Sequence, residues 1–378
     1  PIAHGGELVI ANDYPGIPDH DRRIWAESER FYNFVSRFRE AGGWAGRALF
    51  GLFNRFQAIH PFAPGVHETG ASVQLRLLTS EVRGGSGRDL IERLATEALP
   101  LVTTFPAIGL AAEMWNYPDP VYVVVTDSDI ARAWAPIHAA HTRLRYFAST
   151  DTAASHLTSY GVPSGRIAVT GFPLPQTLTD TAAESFAARL DRLSCRSSEP
   201  VTIVFSVGGA GAQSQIGGEL VRSLAALMRC GEVRLVLSAG ANRSVAESFE
   251  RAAHAAGAGD LVGNGLSVLF EETKERYFEA FAATLARADI LWTKPSELSF
   301  YAALGLPILM APPVGSQEEQ NRMWLMGLGA GFDELDPGRA HEWIPEHIRN
   351  GTFAEAARNG YRRMEREGAR RIMEAVGE

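Results

Sequence analysis

Short apolar runs alternate with amphipathic segments through the second half of the chain. Five runs have the length and apolar content of buried strands: Val201 to Ser206, Val233 to Leu237, Ser267 to Phe270, Ile290 to Trp292 and Pro307 to Met310. Helical periodicity fills the intervals in the segments that end near Met228, run from Ser244 to Ala255, and run from Lys274 to Ala286. Strands that alternate with helices at this spacing predict βαβ units and a parallel sheet.

The first half alternates in the same way but less regularly. Its predicted strands are Leu8 to Ala11, Val102 to Thr104, Val121 to Thr126, Arg145 to Ala148 and Ile167 to Val169. The sequence Gly-Phe-Pro-Leu-Pro at 171–175 interrupts regular structure and predicts a domain boundary. We therefore expect a first domain over 1–172, a second over 173–352 and a helical tail over 353–378 that packs back on the first domain. The polar stretch from Arg189 to Pro200 is expected to lead into the second sheet.

The opening of the chain departs from the usual pattern of a doubly wound domain. Such a domain begins with a strand and a glycine-rich turn into its first helix. No unit of this kind precedes Leu8. Either the first strand and its loop are absent from this sequence, or the first domain is atypical.

Polar residues follow the last two predicted strands of the second half. Lys294, Ser296 and Glu297 come after one of them, and Gln317, Glu318, Gln320 and Asn321 come after the other. Both groups stand where a helix is expected to begin, and helix N-termini carry unpaired N–H groups and a partial positive charge. Such a place suits an anionic ligand such as a diphosphate. Helix caps, a solvated helix turn and a surface lysine are the alternative interpretations.

A glycine-rich turn follows the first strand of the second half. Gly208, Gly209 and Gly211, with Gln213 just inside the next helix, suit close approach of the backbone to a phosphate. A tight structural turn is the alternative. Asp127 and Asp129 follow a strand of the first half, where an Asp is either a catalytic or orienting carboxylate or a helix cap.

Composition narrows the classes of function. The formal net charge of -8 argues against a nucleic-acid partner, which would require a basic face. Cys195 and Cys230 have no metal-ligand spacing and form no disulfide framework, so we expect a reducing, cytoplasmic setting and no metal site.

The segment 31–56 combines arginines with large aromatic residues. Its candidate membrane or acceptor contacts are Trp44, Arg47, Phe50, Phe53 and Arg55. Apolar residues at 49, 50, 52, 53 and 56 share one helical face. Such a helix packs against a sheet, or it lies at a membrane interface. The second interpretation predicts a peripheral contact with the inner face of the membrane.

Several motifs, taken in order, resemble a known enzyme family. They are Thr103-Thr104-Phe105-Pro106, Val121 to Asp127, Tyr146 to Thr150, Ile167 to Pro173, Val207 to Gly211, Lys294, Gly305-Leu306-Pro307 and Gln317 to Asn321. The chain is similar in these motifs to monogalactosyldiacylglycerol synthases and processive diacylglycerol glucosyltransferases, and more distantly to the peptidoglycan-precursor N-acetylglucosaminyltransferase. The resemblance implies the glycosyltransferase-B fold, an α/β architecture in which two Rossmann-like domains with parallel sheets face a cleft.

The same resemblance implies an activity. It is an inverting, metal-independent transfer of a hexose from a nucleotide sugar, a UDP-sugar, to a lipid-like acceptor such as diacylglycerol, with the UDP-sugar as co-substrate and no other cofactor. The polar residues and glycines above would bind the donor. Phe270 would contact the nucleobase, unless it is a core residue, and Asp127 and Asp129 would lie on the acceptor side. Phe300 stands where the family carries a ribose-binding Glu. An epimerase or a nucleotide-sugar-binding protein of the same fold is the alternative.

Overall fold

The computed structural model describes residues 6–27, 30, 59, 65–97, 99–206, 214–313 and 315–377. The chain divides into two compact units. The first unit comprises Pro1–Gly171 together with Ile372–Glu378, and the second unit comprises Phe172–Arg371. The predicted segments at 31–56 and 207–213 lie outside the described residues.

The first unit contains a four-stranded parallel sheet in the order β1-β2-β3-β4. Its strands are β1 (Leu101–Thr103), β2 (Val121–Val124), β3 (Arg145–Ala148) and β4 (Ile167–Val169). Its α-helices between residues 73 and 159 are α1 (Val73–Arg83), α2 (Arg88–Leu94), α3 (Pro106–Met114) and α4 (Asp151–Ser159). Short 3-10 turns at Arg132–Trp134, Ala139–His141 and Ser164–Arg166 connect them.

Strand β2 is buried on both faces, which explains its unbroken apolar run. Val121 and Val123 join a core formed with the helices, while Tyr122 and Val124 join a second cluster on the opposite face. The expected strand from Leu8 to Ala11 is wrong, because residues 6–10 form no strand. Leu8 is 65% exposed, while Val9 and Ala11 pack against the first unit's core without pairing to its sheet as a strand.

The second unit contains a six-stranded parallel sheet in the order β10-β9-β8-β5-β6-β7. Its strands are β5 (Val201–Ser206), β6 (Val233–Gly240), β7 (Leu266–Phe270), β8 (Ile290–Thr293), β9 (Ile308–Met310) and β10 (Gly331–Asp333). Its α-helices among the described residues are α5 (Gln176–Thr179), α6 (Ala182–Leu193), α7 (Ser214–Arg229), α8 (Arg243–Ala255), α9 (Lys274–Arg287), α10 (Ser316–Leu328), α11 (Ala340–Arg349) and α12 (Thr352–Arg363). 3-10 turns lie at Gly259–Leu261, Glu297–Leu304 and Pro337–Arg339.

Helices cover both faces of this sheet, so alternate strand residues enter two cores. Phe205 and Trp292 belong to the core beneath α7, α8 and α11. Val204 and Leu291 belong to the other core, beneath α9 and the 3-10 helix Glu297–Leu304. This placement follows from the two-residue period of a strand.

The tail forms two helices, α12 and α13 (Gly368–Gly377), rather than one continuous helix. α12 ends at Arg363, and the extended backbone of the next residue, Met364, breaks the helical path. In the first unit, Ile372 packs with Tyr122 and Phe147, and the Tyr122 hydroxyl donates to the Ala375 carbonyl at 3.4 Å. The last residues of the chain therefore cover one face of the first unit's sheet.

Candidate functional site

The strand order of the second unit defines where a ligand would bind. The chain runs from β5 outward through β6 and β7, and then returns to the other side of β5 with β8. Between β5 and β8 the strand order reverses, and crevices at the carboxyl ends of strands form at such a switch point. β5 ends at Ser206 and β8 ends at Thr293, so the described residues that follow β8 lie at this switch point.

A largely buried ion pair joins the loop after β8 to the start of α10. Lys294, directly after β8, places its Nζ 2.6 Å from Oε1 of Glu318 in the first turn of α10. The two side chains are only 20% and 10% exposed. The pair therefore fixes the start of α10 against the loop that follows β8.

Asn321 makes a second link between the same elements. Its side chain is fully buried, and its Nδ2 donates to the Pro295 carbonyl at 3.2 Å. Glu318 and Asn321 are three residues apart on α10 and so lie on one helical face. Gln317 and Gln320 occupy the neighbouring positions and are half-buried. The predicted polar cluster thus divides into two residues that hold the loop and two that retain solvent contact.

Backbone geometry shapes the start of α10. Its N-cap is Gly315, which has φ 131°, a conformation that favours glycine. Glycine has no side chain to accept from the first N–H groups of the helix. The positive end of the α10 helix dipole therefore lies beside Lys294, which pairs with Glu318 in the first turn.

The expected helix start at Ser296 is a 3-10 helix, Glu297–Leu304, rather than an α-helix. Gly305 ends it in the left-handed conformation at φ 76°, where an added Cβ would lie 2.4 Å from Cδ2 of Phe186. Ser296 is buried, and its side chain forms no cap. Glu297 is exposed at the first position of the helix.

Phe300 is a core residue in this unit. It is 2% exposed and stacks on Phe172 at 4.4 Å between ring centroids, with Trp324 at 5.0 Å on another side. The apolar surroundings explain why a Phe stands here. A charged side chain at this position would lose its hydration without a partner.

Phe270 lies at the end of β7, with β5 and β6 between it and β8. It packs against the core beneath α8, and the Arg243 guanidinium lies 5.0 Å from its ring. Arg243 also donates to Glu272 at 2.9 Å. Phe270 thus has a packing role and is half-buried.

In the first unit, Asp127 and Asp129 follow β2 but have different surroundings. Asp129 is 5% exposed, contacts Nδ1 of His156 and accepts from the Ile130 N–H at 2.8 Å. Asp127 is half-buried, and its backbone carbonyl accepts from the Ser149 hydroxyl. Asp129 therefore anchors the loop after β2, whereas Asp127 reaches the solvent.

Sequence reasoning missed His156. It is 1% exposed on α4 and stacks on Tyr160 at 5.6 Å. The signal was present in the helical spacing, because Ala153, His156 and Leu157 share the buried face of α4. A polar residue on such a face requires a partner, and Asp129 supplies it.

The remaining predicted residues lie outside the described part of the chain. They are Gly208, Gly209, Gly211 and Gln213, and the candidate membrane contacts Trp44, Arg47, Phe50, Phe53 and Arg55. Among the described residues, no group of three or more His, Cys, Asp or Glu side chains is arranged to hold a metal ion. No described helix has the length and apolar content needed to cross a bilayer.

Two α/β units, each built on a parallel sheet, define the class of this fold as glycosyltransferase-B, as the motifs predicted. A UDP-GlcNAc 2-epimerase from Neisseria meningitidis, solved with UDP-GlcNAc, superposes with a TM-score of 0.51 at 14% identity and covers 84% of this chain and 83% of that one. S. aureus MnaA, solved with UDP, gives a TM-score of 0.50 at 14% identity, with 80% of each chain covered.

Sequence comparison finds relatives that share a single enzyme name. A processive diacylglycerol β-glucosyltransferase from Bacillus cereus is 26% identical over 253 residues, 65% of this chain and 58% of the relative. The enzyme of that name from Bacillus cytotoxicus is 27% identical over 257 residues, with the same shares. The resemblance expected from the motifs is thus confirmed, and the aligned region spans less than two thirds of these relatives. A family model described as a domain of unknown function (DUF6938) matches residues 162–261.

Proposed function

We propose that this protein is a glycosyltransferase that moves a hexose from a UDP-sugar to a lipid acceptor such as diacylglycerol. The observation that carries the proposal is the sequence similarity to processive diacylglycerol β-glucosyltransferases over 253 residues. The polar residues at the carboxyl edge of the second unit's sheet support it. They combine a cation, a helix N-terminus and amide side chains, the groups that a sugar diphosphate requires.

The second unit would bind the donor. Lys294 and the N-terminus of α10 would stabilise the negative charge that grows on the diphosphate as it leaves. Gln317 and Gln320, which are half-buried, would hydrogen-bond the donor. Glu318 and Asn321 would act as positioning residues, because they hold Lys294 and the 295 carbonyl in place.

The first unit would act on the acceptor. In an inverting transfer, the acceptor oxygen forms a bond to the anomeric carbon on the face opposite the leaving diphosphate, and its proton passes to a base. Asp127 is the better candidate base of the two aspartates, because it is half-buried whereas Asp129 is buried. The proposal assigns charge stabilisation to the chain's own cation and helix dipole and requires no metal ion.

A lipid acceptor implies contact with a membrane. The aromatic and basic segment that includes Trp44, Arg47 and Phe50 is our candidate for that contact, from the cytoplasmic side. Its support is the composition of the segment alone.

Replacing Lys294 tests the donor site. In wild-type protein, UDP at a hundredfold its Kd should stabilise the fold by about 2.7 kcal/mol, seen as a rise in Tm. Lys294→Met should weaken UDP binding at least about tenfold, because a charged hydrogen bond to phosphate is lost. Lys294→Arg should retain part of the binding. Lys274→Met is the matched control, because Lys274 is the chain's other lysine and is exposed at the start of α9.

Transfer is tested with radiolabelled UDP-glucose and vesicles that contain diacylglycerol. Labelled glycolipid should appear with wild-type protein and the Lys274 variant, and fall strongly with Lys294→Met. If neither UDP nor any UDP-sugar raises the Tm of the wild-type chain, the donor-site proposal is wrong.

An epimerase of the same fold is the second candidate. The fold similarity to a UDP-GlcNAc 2-epimerase at a TM-score of 0.51 favours it. Incubation with UDP-GlcNAc alone separates the two activities, because an epimerase would change the configuration of the sugar without an acceptor. Nucleotide binding without either product would identify a nucleotide-sugar-binding protein.

A further inference from the structure

Three arginine side chains meet at the amino ends of strands in the first unit. Arg143, Arg145 and Arg166 line one cavity of about 220 Å³, together with the start of β2. We name these three residues the arginine cluster. Asp127 follows the carboxyl end of β2, so the cluster lies at the opposite edge of the sheet from the candidate base. The cavity is therefore separate from the acceptor chemistry proposed above.

The register of the sheet brings the cluster together. Tyr146 of β3 pairs with Ile167 of β4, so the residues before them, Arg145 and Arg166, are neighbours where the two strands begin. Leu144 is buried in the core, whereas the residues on either side of it are exposed. Pairing between the strands thus places guanidinium groups side by side at the amino edge of the sheet.

The positive charges of the cluster are not paired with carboxylates. Elsewhere in this unit, Arg88 and Arg93 pair with carboxylates at 2.6 and 2.9 Å. Within the described part of the chain, no carboxylate forms such a pair with the arginine cluster, although Glu113 and Asp119 line the same cavity. Like charges held close together repel each other, so an anion between them would be stabilised.

The Glu113 carboxylate has other partners. Its Oε1 accepts from the Thr142 hydroxyl at 2.7 Å and from the Arg143 backbone N–H at 2.6 Å. These two bonds tie the end of α3 to the segment that leads into β3. Glu113 therefore positions the backbone of the cluster, and its carboxylate leaves the guanidinium groups to other ligands.

Most N–H groups of the cluster have no partner among the described residues. Arg143 donates to the Tyr117 carbonyl at 3.5 Å, and Arg166 donates to the Arg143 carbonyl at 3.2 Å. Arg145 donates to the Tyr122 hydroxyl at 3.3 Å. Since a guanidinium group has five N–H donors, each arginine keeps further donors for a ligand. Their planar fork matches the oxygens of a phosphate group.

We propose that the arginine cluster binds a phosphate group, either as inorganic phosphate or as a small soluble phosphate monoester. The size of the cavity supports this class of ligand. Sites for drug-sized ligands have volumes of about 300–1,000 Å³, and a cavity of about 220 Å³ suits a smaller group than a nucleotide. The site is independent of the proposed donor site, which lies in the second unit.

Calorimetric titration of the full chain with inorganic phosphate and with glycerol phosphate tests the proposal, at an ionic strength held constant with NaCl. Wild-type protein should show saturable binding. Arg145→Gln and Arg166→Gln should each weaken it at least about tenfold, because a charged hydrogen bond is lost. Arg166→Lys, which keeps the charge, should retain part of the affinity. A cooperative thermal transition without ligand shows that each variant is folded.

Two control variants locate the binding. Arg83→Gln changes an exposed arginine at the end of α1 and should bind phosphate as wild type does. Lys294→Met should also leave this binding unchanged, because Lys294 belongs to the proposed donor site. Tighter binding of glycerol phosphate than of phosphate would identify a monoester, and equal or weaker binding would identify the phosphate group alone.

Three results would overturn the inference. The first is that Arg145→Gln and Arg166→Gln bind phosphate as the Arg83 variant does. The second is that Lys294→Met alone abolishes binding, which would place the phosphate at the donor site. The third is that wild-type protein binds neither ligand saturably. The proposed function is tested separately by UDP, so it would stand in each of these cases.

Discussion

At the scale of single residues, two aspartates that lie two positions apart in the sequence have different surroundings. Asp129 is buried against His156 and a backbone N–H, while Asp127 is half-buried. A base must reach a substrate proton, so the half-buried Asp127 remains our candidate base, whereas the buried Asp129 has a structural contact. The local sequence could not show this difference between Asp127 and Asp129, because the partner of Asp129, His156, lies 27 residues away.

Substituting each aspartate tests this division. Asp127→Asn should lower kcat by about 10² to 10⁴, because an amide cannot take the proton of the acceptor hydroxyl. Asp129→Asn should lower the free energy of unfolding by about 1–3 kcal/mol, because the buried His156 loses a charged partner. The measurements are glycolipid formation and urea unfolding. A stable but inactive Asp129 variant beside an active Asp127 variant would contradict the assignment.

Glu334 is a titratable residue beside the second unit's core. It follows β10 and accepts from the Trp292 indole N–H at 2.6 Å. Burial raises its pKa from an ordinary value of 4.5 to about 7; the Trp292 hydrogen bond opposes the shift, and the carboxylate of Glu219 adds to it. The folded chain therefore keeps a proton that the unfolded chain releases.

This shift has a defined sign. Between about pH 4.5 and pH 7 the folded state binds more protons at Glu334, so stability falls as pH rises through this window. Glu334→Gln removes the titration and keeps an oxygen acceptor for Trp292. Urea unfolding should show this variant gaining stability over wild type as pH rises from about 5 to about 8. Glu250→Gln, at an exposed site on α8, should show no such gain. A pH-independent difference for Glu334→Gln would contradict the prediction.

At the scale of elements, apolar periodicity predicted most of what forms the second sheet. β5, β6, β8 and β9 lie where the runs of Val, Ile and Leu indicated, because strands covered on both faces are apolar throughout. β10 was missed because it contains only Gly331, Phe332 and Asp333. Its place depends on register with Ile308 to Met310, which no local pattern shows.

The sequence prediction was wrong at the end of α6, where charged residues were interpreted as part of a connection between elements. The stretch from Arg189 was read as a polar connection, yet Arg189 is fully buried. Its guanidinium donates to the carbonyls of Ala288 and Leu304, each at 2.6 Å, and so joins the ends of α9 and the 3-10 helix. Long-range carbonyl contacts of this kind cannot be read from composition.

The sequence predicted the place of the candidate site but not the contacts within it. Strand ends and helix starts placed Lys294, Glu318 and Asn321 at one sheet edge, because parallel strands share their carboxyl edge. Which side chains pair with each other, and which reach solvent, required the packed structure. The alignment of Ser206 with Ser238 and Thr293 likewise depends on the register of three strands.

At the scale of the whole molecule, the chain contributes its last residues to the first unit. Ile372 is 6% exposed and packs on Tyr122, Val124 and Phe147. Ile372→Ala should lower the free energy of unfolding by about 2 kcal/mol, because a buried side chain leaves a cavity. Met373→Ala, at a residue 36% exposed on the same helix, should change it much less. Calorimetry of both variants measures this, and equal effects would contradict the packing role.

This contribution of α13 has a consequence for the order in which the protein folds during synthesis. The ribosome makes the sheet residues of the first unit before any residue of the second unit. Ile372 is made only after the whole second unit, Phe172–Arg371, has been synthesised. Until then, the face formed by Tyr122, Val124 and Phe147 lacks its α13 cover. An incomplete chain that exposes such a surface is prone to aggregation. The unit that begins to fold first is thus the last to be completed.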